Sequence, residues 1–242
     1  MTEEPPSRTG PLEEVEPNIG EALVTPPRAA RRAAWAELSF LLFLCVYSVL
    51  AVLAHRYAYF EWDLELERAI QSISVPGFAS VMIGVSVLGN SWVPTIIVVL
   101  IGIALINSGL RSAGIVCLAG TGLGWAVTQL LKYVIARPRP TDELVNVAGK
   151  FHFESFPSGH VTFFVEFFGF LLFLAFVLVK RGALRAVLIA LPAILIILVG
   201  FSRVYLGAHW PSDVVGAYLT GGIWLMLMIE AYRRMELRRA AG

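Results

Sequence analysis

Residues 160–179, HVTFFVEFFGFLLFLAFVLV, are apolar throughout except for His160 at the start and Glu166 inside the run. As a helix rising 1.5 Å per residue, such a run covers about 30 Å, the thickness of a bilayer's hydrocarbon core. A soluble helix of that length would show a polar stripe, and this one does not. Similar runs recur at 36–54, 111–133, 184–202 and 213–232, and a further one at 79–107 is interrupted by Gly89–Asn90. With 57% hydrophobic and 15% charged residues there is too little polar surface for a soluble domain of this size. The expected fold class is all-α: a polytopic membrane helical bundle with six transmembrane helices plus a short interfacial helix. That extra helix is EWDLELERAIQSIS, residues 61–74, which mixes charge with Trp62, Leu64, Leu66 and Ile70 and suits the membrane surface, with Trp62 at headgroup depth. A net charge of +1 supplies no electrostatic footprint for nucleic acid.

Residues 1–34 open acidic and proline-rich instead of with the basic start and early apolar core of a signal peptide. They are read as a disordered cytoplasmic N-terminal tail, followed by a membrane domain at 35–235 and a basic C-terminal tail at 236–242. Cys45 and Cys117 both fall inside apolar runs, where they read as small buried hydrophobes. Orientation follows from lysine and arginine in the short loops. Arg28, Arg31, Arg32, Arg111, Lys180, Arg181, Arg185, Arg233, Arg234, Arg238 and Arg239 mark one side as cytoplasmic, together with both termini. Arg56, Arg68, Lys132, Arg137, Arg139, Lys150 and Arg203 fall on the extracytoplasmic side.

Three polar clusters collect on that outer side. In KYVIARPRP, Lys132 ends the third span, and the prolines hold Arg139 on an extended strut beyond it. In PSGH, Ser158 and Gly159 stand at the start of the fourth span, where free backbone N–H groups favour an anion, with His160 one step inside. In SRVYLGAHWPSD, Arg203 ends the fifth span and Asp213 opens the sixth, within reach of a His209 ring nitrogen. Taken singly, a snorkelling lysine, a helix cap and an interfacial Arg–Asp pair account for them. Together they supply cations, an anion cradle, two imidazoles and a carboxylate on one membrane face, the parts that phosphoryl transfer needs. His, Asp and Glu in metal-ligand spacing do not occur on this side, so no metal and no cofactor is expected.

At these residues the chain resembles the type 2 phosphatidic acid phosphatase superfamily, whose pattern is K-x6-RP, PSGH and SR-x5-H-x3-D. Here the pattern stands as Lys132 through Arg139-Pro140, Pro157-Ser158-Gly159-His160, and Ser202-Arg203 through His209 to Asp213. The resemblance implies a metal-independent lipid phosphatase. His209 would be the nucleophile, Asp213 its orienting partner and His160 the general acid; Lys132, Arg139, Ser158, Gly159 and Arg203 would bind phosphate. Its substrate would be a lipid phosphate entering from the bilayer: phosphatidic acid, phosphatidylglycerol phosphate, diacylglycerol pyrophosphate or undecaprenyl pyrophosphate. An anion or phospholipid transporter using the same cationic pocket, and a vanadium haloperoxidase, are the competing readings. His55 and His152 read as interfacial. Glu166 is costly in lipid and is expected to face the bundle interior, about 120° round an ideal helix from His160, as a tunnel-lining group.

Overall fold

Eight helices make up the regular structure of residues 26–241, the part of the chain that the computed structural model describes. They are α1 (Pro26–Arg56), α2 (Glu61–Gln71), α3 (Phe78–Val87), α4 (Val93–Asn107), α5 (Arg111–Ile135), α6 (Gly159–Leu178), α7 (Ala183–Tyr205) and α8 (Pro211–Ala241). Among the described residues there is no strand. Residues 1–25 of the expected tail lie outside the described residues. Residues 26–34 belong to α1, whose first turn accommodates Pro26 and Pro27 because a missing N–H costs nothing there. The chain divides into two units, Met1–Leu41 and Leu42–Gly242. In the first, the described part is the opening of α1; all the remaining helices belong to the second.

Five helices are individually long and apolar enough to cross a membrane: α1 from Glu37, α5, α6, α7 and α8. The expected second span is not one helix. It breaks between α3 and α4 at residues 88–92, where Ser91 takes a positive φ of 51°. The 15 residues of α4 reach about 22 Å, short of a bilayer core on their own.

Within the second unit α6 is the central helix. The most apolar window of α6 is 61% buried, against 33% or less in the other four span candidates. Phe164, Phe167 and Phe170 are fully enclosed, packed by α5, α7 and α8. Close approach comes from small residues, as expected where lipid offers no hydrophobic drive between helices. Gly221 lies against Val165, Gly169 against Leu225 and Gly120 against Met228. Large apolar side chains such as Ile103, Leu130 and Ile197 point outward. Cys117 is buried as expected; Cys45 is exposed on α1, where an apolar environment outside the protein suits it equally well.

The surface helix α2 faces the opposite way from a simple amphipathic reading. Trp62 and Leu66 are 44% exposed, whereas Asp63 and Glu67 are fully buried. Asp63 turns inward to meet the buried Arg137, and Glu67 is buried on the same face without a partner. This arrangement brings α2, the C-terminal ends of α5 and α7, and the N-terminal ends of α6 and α8 to one end of the unit, joined by the loop of residues 136–158.

Candidate active site

A cavity of about 840 Å³ opens at that end. Lys132, Arg139, Gly159, His160, Arg203 and His209 line it. Ser158 and Asp213 are fully buried. The three clusters, separated by up to 81 positions in the chain, therefore converge.

His209 follows a tight turn in which Gly207 has a φ of +65°, and a Cβ there would collide with the Asn146 carbonyl. Its Nε2 lies 3.1 Å from an Arg139 Nη1. A guanidinium only donates, so Nε2 carries the lone pair and the ring proton sits on Nδ1. Nδ1 faces Ser155 Oγ at 3.4 Å, and that hydroxyl donates to Asp213 Oδ2 at 2.5 Å. The direct Nδ1 to Asp213 separation is 3.7 Å, beyond hydrogen-bonding range. Asp213 thus reaches His209 through Ser155, because its Oδ2 also accepts from Trp210 N at 2.9 Å and caps α8. Burial, and then the cations Arg139, Lys132 and Arg203, hold the His209 imidazole well below its usual pKa. It is the neutral ring that faces the cavity.

The three cations are held by neutral groups. Lys132 Nζ donates to the carbonyls of Glu154 at 2.5 Å and Ser155 at 3.3 Å. Arg139 donates to the carbonyls of Phe153, Ala208, His152 and Glu154. Arg203 donates to Ser86 Oγ at 2.5 Å, and its guanidinium lies 5.3 Å from the centre of the Phe151 ring. Among the described residues none of the three forms an ion pair, although Lys132 and Arg203 are buried. Arg203 Nε and Ser158 Oγ are buried without a partner, and Ser158 caps α6 only through its main chain. Unspent donors and unpaired positive charge around one cavity make a site for a polyanion.

His160 is the second imidazole. Its Nε2 lies 2.8 Å from Asn90 Oδ1, and its ring packs so closely on Gly89 that a Cβ there would overlap it. The break between α3 and α4 is thus the seat of His160. The sequence marks Gly89–Asn90 as an interruption, but nothing in it joins them to a histidine 70 positions away.

Behind the site lies a second network that sequence reasoning missed. Arg137, only 1% exposed, donates through Nη1 to Asp213 Oδ1 and Ser212 Oγ, each at 2.6 Å, and through Nη2 to Asp63 Oδ2 at 3.0 Å. Asp63 also accepts from Ser212 N and Oγ and from Phe60 N. Glu67, one turn on, has no partner on either oxygen, and burial, then Asp63 and Asp213, push it up to about 9. A raised carboxyl binds its proton more tightly folded than unfolded. Its stability contribution is therefore full below the ordinary carboxylate range and lost as pH rises towards about 9. Glu67→Gln should match the wild type in melting temperature at pH 5 and exceed it at pH 8.5, as read by thermal unfolding in detergent. Equal melting temperatures at both pH values would show that Glu67 is not held neutral.

Of the remaining candidates, His55 Nδ1 lies 3.0 Å from the Ile135 carbonyl at the end of α5. The His152 side chain is exposed at the cavity rim. Glu166 lines the same cavity as His160, as expected of a group that faces the bundle interior. Residues 164–168 form a π-helical turn, with Glu166 inside it.

A membrane-spanning helical bundle with a polyanion pocket at one end is the class that fold and site define. Residues 113–236 match the PAP2 superfamily model, and the chain belongs to that superfamily. It is 29% identical to the phosphatidylglycerophosphatase B of Bacillus subtilis, over 80% of this chain and 92% of that one. It is 27% identical to an undecaprenyl-diphosphatase of Sulfolobus acidocaldarius, over 69% and 76% of the two chains. Among solved structures, the PAP2-type phosphatidylglycerolphosphate phosphatase of Bacillus subtilis superposes with a TM-score of 0.70 at 26% identity, over 79% of this chain and 94% of that one.

Proposed function

We propose that this protein is a metal-independent lipid phosphatase that removes a phosphoryl group from a phosphomonoester or pyrophosphate lipid by way of a phosphohistidine. The observation that carries the reading is the set of three cations without carboxylate partners around the neutral His209 Nε2. The lipid phosphate binds Lys132, Arg139 and Arg203, with the Ser158 hydroxyl and the Gly159 N–H as neutral donors. His209 Nε2 attacks phosphorus as the ester or anhydride P–O bond breaks, and the proton on His160 goes to the departing oxygen. Water then attacks the phosphohistidine, His160 takes its proton, and inorganic phosphate leaves. Through Ser155, Asp213 keeps the His209 proton on Nδ1. The distribution of basic loop residues supports an extracytoplasmic site with both termini cytoplasmic.

The test separates leaving groups. Purified protein in detergent should release phosphate from dioleoyl phosphatidic acid in the presence of EDTA. His160→Ala should lower kcat on this alkyl ester by about 10²–10⁴-fold, the usual worth of a general acid. On p-nitrophenyl phosphate, whose leaving group needs no proton, the loss should be at least tenfold smaller. Equal losses on both substrates would remove His160 from the acid role, and loss of wild-type release in EDTA would overturn the metal-free mechanism.

A further inference from the structure

The phosphate chemistry uses only one end of the cavity. At its other end stands Glu166, 2% exposed, with no hydrogen bond or ion pair among the described residues. Its carboxyl lies so close to Gly124 that a Cβ at that position would overlap it. On α5, Thr121, Gly124, Thr128 and Lys132 follow one another at three- and four-residue steps and so share a face. Both threonines line the same cavity, and the hydroxyl of each is buried without a partner. Three polar side chains at membrane depth, none with a hydrogen-bond partner among the described residues, converge on this cavity. A polar group left so in a lipid-embedded protein is costly unless a ligand completes it.

The spacing says which part of a ligand reaches them. Glu166 is six residues below His160, a rise of about 9 Å, and helical side chains lean back toward the N-terminus, here toward the phosphate. A lipid whose phosphate sits between His209 and His160 would place there the atoms that link phosphate to hydrocarbon. In a glycerolipid these atoms carry ester carbonyls, within a glycerol's length of the phosphate. In a dialkyl ether lipid they carry no carbonyl, and in a polyprenyl lipid the hydrocarbon follows directly. Thr121 and Thr128 each have an O–H to give. An ester only accepts, so the buried Glu166 carboxyl, with no cation beside it, takes part as the neutral acid and donates its O–H. We propose that Glu166, Thr121 and Thr128 form a linker subsite that hydrogen-bonds the ester groups of the substrate lipid and selects ester-linked glycerolipids. The subsite rests on the lipid-phosphatase reading for its occupant, but its selectivity can be measured without turnover.

The experiment is displacement of a fluorescent phosphonate analogue of phosphatidic acid, whose P–C bond a phosphatase cannot cleave, from the full-length purified protein by the unlabelled dioleoyl diester phosphonate and by its dialkyl ether counterpart, which shares headgroup and chain length. Wild-type protein should bind the diester roughly tenfold more tightly, about one net hydrogen bond's worth. Glu166→Leu should collapse that ratio toward one, and Thr121→Val and Thr128→Val should each reduce it. The valine variants keep side-chain shape, so they remain informative if Glu166→Leu does not fold. No diester preference in wild-type protein, or a preference unchanged in the variants, overturns the subsite whether or not phosphate is released. Conversely, a diester preference that depends on Glu166 in a protein that releases no phosphate leaves the subsite standing and overturns the phosphatase reading.

Discussion

Replacing His209 with alanine is expected to lower phosphate release from phosphatidic acid by about 10⁴-fold or more, since removing a nucleophile has an effect of that order in covalent catalysis. The expectation rests on the orientation of one ring. Arg139 faces Nε2 at 3.1 Å and Ser155 faces Nδ1 at 3.4 Å, so the lone pair points into the cavity and the proton points away from it. Burial, and then the surrounding cations, hold this imidazole neutral, and the same cations would gather the phosphate for its attack. Wild-type protein mixed with radiolabelled phosphatidic acid and quenched in alkali should retain label on the chain, because a phosphohistidine survives base and is lost in acid. His209→Ala should retain none. Turnover within tenfold of wild type, or label persisting in the variant, would assign the nucleophile elsewhere. Because the His209 pKa is shifted downward, the acidic limb of a kcat/KM profile should not come from protonation of this ring in the free enzyme.

Much of the site was legible in sequence because its chemistry restricts residue type and spacing locally. PSGH combines a cap, a small residue and a histidine at the first turn of a span. Asp213 had to lie in the first turn of its helix once Pro211 was taken as the start, and α8 begins there. What stayed hidden was whatever depends on tertiary partners. Ser155 is a single serine in a loop, and only the fold brings it between His209 and Asp213. Asn90 reads as a helix breaker, yet its amide oxygen also holds His160. The π-helical turn around Glu166 likewise carries no signal in the sequence FVEFF.

The same limitation explains α2. Apolar and charged residues alternate along EWDLELERAIQ in a way that fits a helix lying on a membrane with its charges in water. Two carboxylates four residues apart on one face, Asp63 and Glu67, fit equally well a helix that turns that face toward a buried cation. Sequence cannot choose between these, since the deciding partner, Arg137, lies 74 positions from Asp63 and reads as another basic residue in a turn. Arg137 and Arg139 are two residues apart on the same proline-stiffened strut, and only one lines the cavity. Arg139 faces the anion pocket, while Arg137 is turned toward α2 and α8.

That division of labour makes Arg137→Met the more destructive of the two arginine substitutions for the fold. The guanidinium joins Asp63 and Asp213, both fully buried, and also meets the Tyr57 and Ala58 carbonyls through Nε. A buried ion network is not in itself strongly stabilising, because desolvation offsets much of its attraction. Removing one member is different: it leaves two carboxylates enclosed near each other with no cation between them. The loss should be about 3–5 kcal/mol, a clear fall in melting temperature for a domain of this size. Asp63→Asn added to Arg137→Met removes one of the stranded charges and should recover part of the lost stability. Arg137→Lys keeps the charge but cannot reach both carboxylates with the planar fork, and should fall between wild type and Arg137→Met. Activity should fall with Arg137→Met even below the melting temperature, because Asp213 no longer holds Ser155 and the His209 proton in place. An unchanged melting temperature in Arg137→Met, or no recovery in the double variant, would mean that Asp63 and Asp213 are held by their other donors and that Arg137 contributes only packing.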